Sequence, residues 1–394
     1  MKKKRILYIN KQYRDYDFLK YRTFIQNFDL TVIWICPFRD SDPLPDDLRN
    51  NLGFKLLNFK GNRLRPHNIL FSLRLLMMML GTGGDVDLII SSTSDAWHSK
   101  IAFLAGRLLK IPIAFRKEVW TGNGGLRKII LDWMTRFIEK RSSAVFYNGR
   151  RQREFLLAYK LKPDRLFPFP RLIKDLRNEK LDTAFLEDME ARHKARLKFL
   201  YLGRIIPQKG LDLLIKVFLR LQKDYGDILL FAAGGPARQG YFKQTSPRYY
   251  EQCRKLAEDS RQIIFFEEVS PAAVHNYYYL ADIFVHPHKK FLEGNKLVYE
   301  GWGNVVVEAA AMGLPLLVSD RVPSAFELIE NNRNGMILDS DRLELNLYNA
   351  MRFFIDNRDK VDEFGRKSRE IYEKFNDPEK MVSSINSVLH KGNF

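Results

Sequence analysis

The sequence predicts an α/β fold built as two successive parallel-sheet domains, and three observations carry that expectation. Short apolar runs rich in Val, Ile and Phe alternate with helical patterns from end to end. Continuous apolar strands separated by helices are the signature of a parallel sheet covered on both faces. The series occurs twice, broken over 167–197 by a proline-rich turn (FPFPR, 167–171) and a charged stretch. Finally, 394 residues fit two or three domains at about 100–200 residues each.

In the first half, strands are expected at 5–10, 31–37, 86–92, 111–116 and 144–148. The second half repeats the pattern at 198–203, 228–234, 263–269, 283–286, 314–319 and 336–338. Helices such as 211–225, 248–260 and 305–312 lie between them, and three short helical segments close the chain after Asp341. Both domains therefore read as Rossmann-like, and in that architecture ligands sit in a cleft between facing sheets. The expected boundaries are 1–172 for the first domain, 173–197 for a linker and 198–370 for the second domain. A final helix, 371–394, is expected to return to the first domain.

Charge separates the two halves. Of the net +18, residues 1–175 hold 33 Lys+Arg against 16 Asp+Glu, and residues 176–394 hold 32 against 31. The excess thus belongs to the first domain, which implies an anionic partner: nucleic acid, acidic lipid or a phosphorylated substrate. No RNA-binding motif accompanies the basic residues, so nucleic-acid binding stands only as an alternative. Cys36 and Cys253 are too few for a disulfide framework, which fits a reducing, cytoplasmic location. The basic start MKKKR is followed by only ILYI, short of the roughly 7–15 apolar residues of a secretion signal. No apolar run reaches the roughly 18 residues of a membrane span. The nearest, 69–80 (ILFSLRLLMMML), is apolar on most of a helix surface and follows Lys60, Arg63 and Arg65. Such a helix is either a core helix or one lying on a bilayer. Further basic residues at 127–128, 136, 140–141 and 150–153 extend that face.

Chemistry concentrates in the second half. After the strand at 198–203 comes Gly203-Arg204, then Lys209-Gly210, then a helix with Asp212 in its first turn. A strand, a glycine-flanked loop with two cations and a helix N-terminus make an anion site, though a solvated basic loop has the same composition. The run 300–320 (EGWGNVVVEAAAMGLPLLVSD) holds two carboxylates, Glu300 and Glu308, around a glycine-rich helix start. Two carboxylates also suit glycoside hydrolysis, but nothing marks either as a proton-bearing acid. Asp-x-Asp pairs at 15–17, 40–42, 85–87 and 339–341 do not follow apolar strands, so loop or capping roles are expected rather than a metal. His286 and His288 stand beside two lysines and read as rim or turn residues.

Taken together, Gly203-Arg204…Lys209-Gly210-Leu-Asp, AGGP at 233–236, ADIFVHP at 281–287 and the Glu300-x7-Glu308…Gly313-x-Pro315 run resemble family-4 glycosyltransferases. These are retaining enzymes of GT-B architecture, two Rossmann-like domains facing a central cleft. The resemblance is detailed over 198–339; the first 170 residues share only the alternating pattern. It implies a metal-independent hexosyltransferase that needs no cofactor and uses a UDP-, GDP- or other nucleotide-sugar. Its acceptor would be a lipid-linked or cell-surface glycan, and it would work peripherally on the inner face of the cytoplasmic membrane.

By the same resemblance, Arg204 and Lys209 hold the diphosphate, Glu308 the ribose hydroxyls and Glu300 the sugar hydroxyls near the anomeric centre. Gly203, Gly235, Val269 and the Trp302, Gly303 and Asn304 amides complete the donor pocket. Two departures bear on the acceptor. The usual glycine-rich loop after the first strand is NKQYRDYD (10–17), and the usual histidine after the fourth strand is replaced at 116–120 by RKEVW. Arg14, His98 and Arg116 are the acceptor-binding candidates, and Glu118 or Arg116 takes the histidine's place near the reacting centre. The loop 288–299 is long, and Lys296 in it reads either as a solvated loop residue or as one that reaches the donor. A sugar phosphorylase shares the architecture but would need a pyridoxal-phosphate lysine motif, which is not found. The oligomeric state is not legible.

Overall fold

The computed structural model describes residues 2–10, 17–35, 56–58, 69–82, 85–117, 126–193, 196–237, 241–267, 269–293, 296–298 and 300–391. The chain divides into two compact units: residues 1–174 with 376–394, and residues 175–375.

Unit 1 runs β1 (Arg5–Asn10), α1 (Phe18–Asn27), β2 (Asp29–Trp34), β3 (Leu56–Asn58), α2 (Ile69–Thr82), β4 (Leu88–Ser91), α3 (Trp97–Leu109), β5 (Ile113–Lys117), α4 (Leu126–Arg141), β6 (Ala144–Tyr147), α5 (Arg150–Ala158) and β7 (Leu166–Pro168). Its seven strands are parallel, in the order β3-β2-β1-β4-β5-β6-β7. Both faces of the sheet are dry, as the unbroken apolar strands require. Tyr8, Leu30, Val32, Ala114 and Phe146 meet α1 on one face, and Leu7, Ile9, Ile89, Ile113 and Phe115 meet α2 and α3 on the other.

Unit 2 runs α6 (Thr183–His193), β8 (Leu197–Leu202), α7 (Leu211–Leu221), β9 (Ile228–Ala233), α8 (Ser246–Leu256), β10 (Ile263–Phe266), α9 (Val274–Leu280), β11 (Ile283–His286), β12 (Phe291–Glu293), β13 (Lys296–Val298), α10 (Asn304–Ala311), β14 (Leu316–Ser319), α11 (Ala325–Leu328), β15 (Gly335–Leu338), α12 (Leu343–Asp356) and α13 (Lys360–Phe375). Six parallel strands form its sheet, in the order β10-β9-β8-β11-β14-β15. In α7, Leu211, Leu214, Ile215, Phe218 and Leu221 recur at helical spacing and are all buried, which fixes the helix on the sheet. A last helix, α14 (Pro378–His390), follows and belongs to unit 1, where Met381, Val382, Ile385 and Val388 join the α1 face of the sheet.

The strand order in each unit reverses beside its first strand, between β1 and β4 and between β8 and β11. That is the Rossmann arrangement, and ligands bind such sheets outside the carboxyl ends of the strands at the reversal. Three elements differ from the sequence reading. β3 and β7, three residues each, are too short to show a pattern. The long loop before Glu300 contains an antiparallel hairpin, β12–β13, whose Phe291 ring lies 5.7 Å from that of Phe242.

Candidate functional site

The site stands at the β8/β11 reversal. β8 ends at Leu202, just before Gly203, and Pro207–Lys209 form one short turn before α7. Gly210 closes that turn at φ +73°, and a side chain there would collide with the Pro287 carbonyl oxygen. Glycine therefore lets the β8 loop lie against the end of β11, which carries His286 and His288 beside Lys209.

Lys209 is buried, and its ammonium donates to the Glu300 carboxylate. The same ammonium lies 3.3 Å from His286 Nε2, which therefore accepts. His288 donates from Nδ1 to the Lys289 carbonyl at 3.2 Å, and its Nε2 lies 3.7 Å from Glu300 Oε2. Burial, and after it the Lys209 charge, push His286 well below the usual histidine range. Burial likewise takes His288 to about 4, the Glu300 charge opposing it only in part. Burial acts to raise the Glu300 carboxyl, but Lys209, followed by the two histidines, outweighs it and holds it at about 2. At neutral pH the cluster is thus an ammonium, a carboxylate and two neutral imidazoles. The Glu300 side chain keeps 18% of its surface exposed, so the carboxylate still faces solvent.

Arg204 is exposed, and among the described residues its side chain has no ion-pair partner. Asp212 is committed elsewhere: Lys289 reaches both of its carboxylate oxygens at 2.8 Å, and the Tyr249 hydroxyl donates to it at 2.5 Å. Burial opposes ionisation of Asp212, but the Lys289 bond prevails and lowers its pKa.

The glycine-rich start of α10 is built on Gly303, at φ +91°, where a side chain would strike Val322. Ser324 Oγ donates to the Gly303 carbonyl at 3.1 Å and fixes the turn. Asn304 opens the helix and is half-buried. One turn on, Glu308 accepts a hydrogen bond from the Tyr278 hydroxyl at 2.8 Å. Burial raises its pKa, and the Tyr278 bond only partly offsets that. The Trp302 indole faces inward and stacks on Phe375 at 6.0 Å, so only its backbone is available to a ligand. Gly235 accepts from Ile205 N at 2.8 Å and pins the β8 loop to the β9 loop; Val269 is half-buried after β10.

Of the sequence candidates, Lys209 and Glu300 are in direct contact, and Gly203 and Arg204 share their loop. Glu308 sits with Tyr278 instead. In unit 1, Arg116 is buried, bonds Asn148 Oδ1 through Nε and Nη2 at 3.3 and 3.0 Å, and lies 5.3 Å from the Phe169 ring centre. His98 is buried in α3. Arg14 and Glu118 lie outside the described residues, as does the side chain of Lys296. The histidines read as rim or turn residues are fully buried at the heart of the cluster. Their signal was available: His-Pro-His directly continues an apolar strand at a sheet reversal. Tyr278 left none, because its partner is 30 residues away. Among the described residues, no three His, Cys, Asp or Glu gather to hold a metal.

The fold defines the class: both units together match solved structures of GT-B architecture, and most of unit 2 matches a glycosyltransferase family model. Residues 185–371 match the family Glycosyl transferases group 1. The GDP-mannose-dependent alpha-(1-6)-phosphatidylinositol monomannoside mannosyltransferase of Mycolicibacterium smegmatis is 26% identical over 166 residues, 39% of this chain and 40% of that protein. The lipopolysaccharide 1,2-N-acetylglucosaminetransferase of Salmonella typhimurium is 31% identical over 124 residues, 31% of this chain and 30% of that protein. The chain therefore spans well under half the length of these curated relatives. In fold, the Anabaena Alr3699/HepE structure in complex with UDP matches with a TM-score of 0.76 at 13% identity, over 98% of this chain and 100% of that one.

Proposed function

We propose that this chain is a retaining glycosyltransferase that moves a hexosyl group from a nucleoside-diphosphate sugar to a lipid-linked or cell-surface glycan. The observation that carries the reading is the Lys209–Glu300 pair beside Arg204, at the β8/β11 reversal of a group 1 domain. Arg204 presents a planar fork to the diphosphate, and Lys209 a buried positive charge. As the C1–O bond to the diphosphate breaks, negative charge grows on the leaving oxygens. The buried Lys209, the exposed Arg204 and the amides at the start of α10 stabilise it, so no divalent ion is called for. A carboxyl at about 2 is ionised, so Glu300 accepts hydrogen bonds from sugar hydroxyls and does not serve as a general acid. Glu308, with Tyr278, takes the ribose hydroxyls. Neutral His286 accepts from Lys209 and holds it without competing for the phosphate charge, and neutral His288 packs beside Glu300.

A panel of UDP- and GDP-sugars tests the reading, first by thermal stabilisation and then by transfer, with the anomeric configuration of the product read by NMR. Lys209→Ala is expected to slow transfer by about 100–1,000-fold. A product of inverted configuration, or unchanged transfer in Lys209→Ala, contradicts it.

A further inference from the structure

The three helices that cover one face of the unit 1 sheet carry an apolar surface that the fold does not use. α2 is apolar around most of its circumference, yet Leu75 and Met79 are its fully buried pair, packed on the sheet. Leu73 and Met77, one turn apart, are 53% and 67% exposed. On α3, Leu104 and Leu108 repeat that spacing at 49% and 59%, and on α4 Trp133 is 63% exposed. These five are more than half of the nine exposed large hydrophobics among the described residues, and the other four fall singly on separate elements. Solvent-facing apolar residues scattered singly are ordinary; a cluster marks an interaction surface.

The surface is continuous. Trp97 Nε1 donates to Ser72 Oγ at 2.7 Å and ties α3 to α2. The Trp133 ring lies 5.6 Å from Phe137, and Phe137 lies 6.3 Å from Phe103, which ties α4 to α3.

Charge selects the partner. Arg74, Arg107, Lys110, Arg136, Lys140 and Arg141 are exposed on these helices and their ends. Arg107 and Arg141 lie over the rings of Phe103 and Phe137 at 5.8 and 3.9 Å, apolar stem and charged head serving one surface. Neither α2 nor α3 contains a carboxylate. Of the two on α4, Glu139 is buried against Lys117, which leaves half-buried Asp132 alone. A second copy of this face would set six exposed cations against six, with only half-buried Asp132 on each to pair them. Single strands are held on rows of stacking aromatic side chains, and Trp133 is the one such exposed ring beside the Leu and Met of this face among the described residues. Leucine, methionine and one tryptophan within a ring of cations suit the boundary between anionic headgroups and acyl chains.

We propose that the outer face of α2, α3 and α4 docks this chain on an anionic lipid bilayer, with Leu73, Met77, Leu104, Leu108 and Trp133 entering the headgroup layer. This goes beyond the transfer reading and stands or falls without it. The test is sedimentation of the full chain with vesicles of phosphatidylglycerol and phosphatidylcholine, against vesicles of phosphatidylcholine alone. Binding to the anionic vesicles is expected to be at least about tenfold tighter, and to weaken with salt. Two variants are compared, the apolar Leu73→Ser/Met77→Ser/Trp133→Ser and the charge-reversing Arg74→Glu/Arg107→Glu/Lys140→Glu. Each is expected to lose at least about tenfold with an unchanged melting temperature, because every altered side chain is exposed. Equal binding to both vesicles, retention by both variants, or a dimer or RNA complex that the apolar variant abolishes overturns the proposal.

Discussion

Lys117 in unit 1 and Lys209 in unit 2 are both buried lysines bonded to a glutamate at the carboxyl end of a parallel sheet. Lys117 meets Glu139 at 3.1 Å and Asp95 at 2.8 Å. Ser94 also donates to Glu139, and Lys100 donates to Thr135 at 2.8 Å and to the Ser94 and Asp95 carbonyls at 2.8 and 3.0 Å. The Glu139 side chain is 3% exposed against 18% for Glu300. One pair is sealed by hydroxyls and carbonyls; the other keeps its carboxylate open, with neutral imidazoles behind it. A buried ion pair by itself therefore does not mark a site. What distinguishes the unit 2 pair is an open carboxylate at a sheet reversal, with an exposed arginine that has no described ion-pair partner in the same loop as the lysine.

The largest expected effect tests the sealed pair. Glu139→Ala leaves Lys117 with Asp95 as its remaining carboxylate and is predicted to cost about 3–5 kcal/mol in urea unfolding followed by circular dichroism. Glu300→Gln should cost less, because its side chain already meets solvent. Equal losses would erase the distinction between the pairs.

Acid unfolding comes next. His288 sits at about 4 in the folded chain against an ordinary 6.5, so below pH 6.5 the unfolded chain takes up a proton that the folded chain refuses. Glu300 sits at about 2 against 4.5, so its contribution is complete above pH 4.5 and is lost as pH falls towards 2. Both make stability fall with pH, first over 6.5–4 and then over 4.5–2, each by about 3 kcal/mol. His288→Gln is expected to make the upper window of unit 2 shallower, with His286 keeping a share of it. A flat response of the wild type between pH 6.5 and 4 would contradict the neutral imidazole.

Smaller still, Tyr278→Phe removes the donor to Glu308 and is predicted to cost about 1.5–3 kcal/mol in thermal unfolding. No loss would separate Glu308 from Tyr278. The smallest effect is also informative: Arg204→Ala should change stability by no more than about 0.5 kcal/mol, since its side chain holds nothing in the described structure.

Legibility followed the same division. The loop from Gly203 to Gly210 and the helix start at Gly303 were readable because strand, loop and helix are contiguous, and the conformations demanded at Gly210 and Gly303 exclude other residues. The two-sheet architecture was readable because strands buried on both faces must be continuously apolar. The bonds made across the fold were not. Tyr278 to Glu308 and His286 to Lys209 in the site, and Lys117 to Glu139 in unit 1, join residues 30, 77 and 22 positions apart, and tertiary packing alone brings them together. The β12–β13 hairpin escaped because its strands are three residues long, and the apolar 69–80 run escaped resolution because its pattern fits a core helix and a surface helix equally. The structure shows one stripe of it buried and the opposite stripe exposed.

The assignment of the open pair to a diphosphate is tested most directly by titrating wild type and Arg204→Ala with UDP and with GDP in a calorimeter. At least one nucleotide is expected to bind the wild type, and binding to the variant to be at least about tenfold weaker at an unchanged melting temperature. Equal affinity in the two proteins would contradict a phosphate site at Arg204 and Lys209.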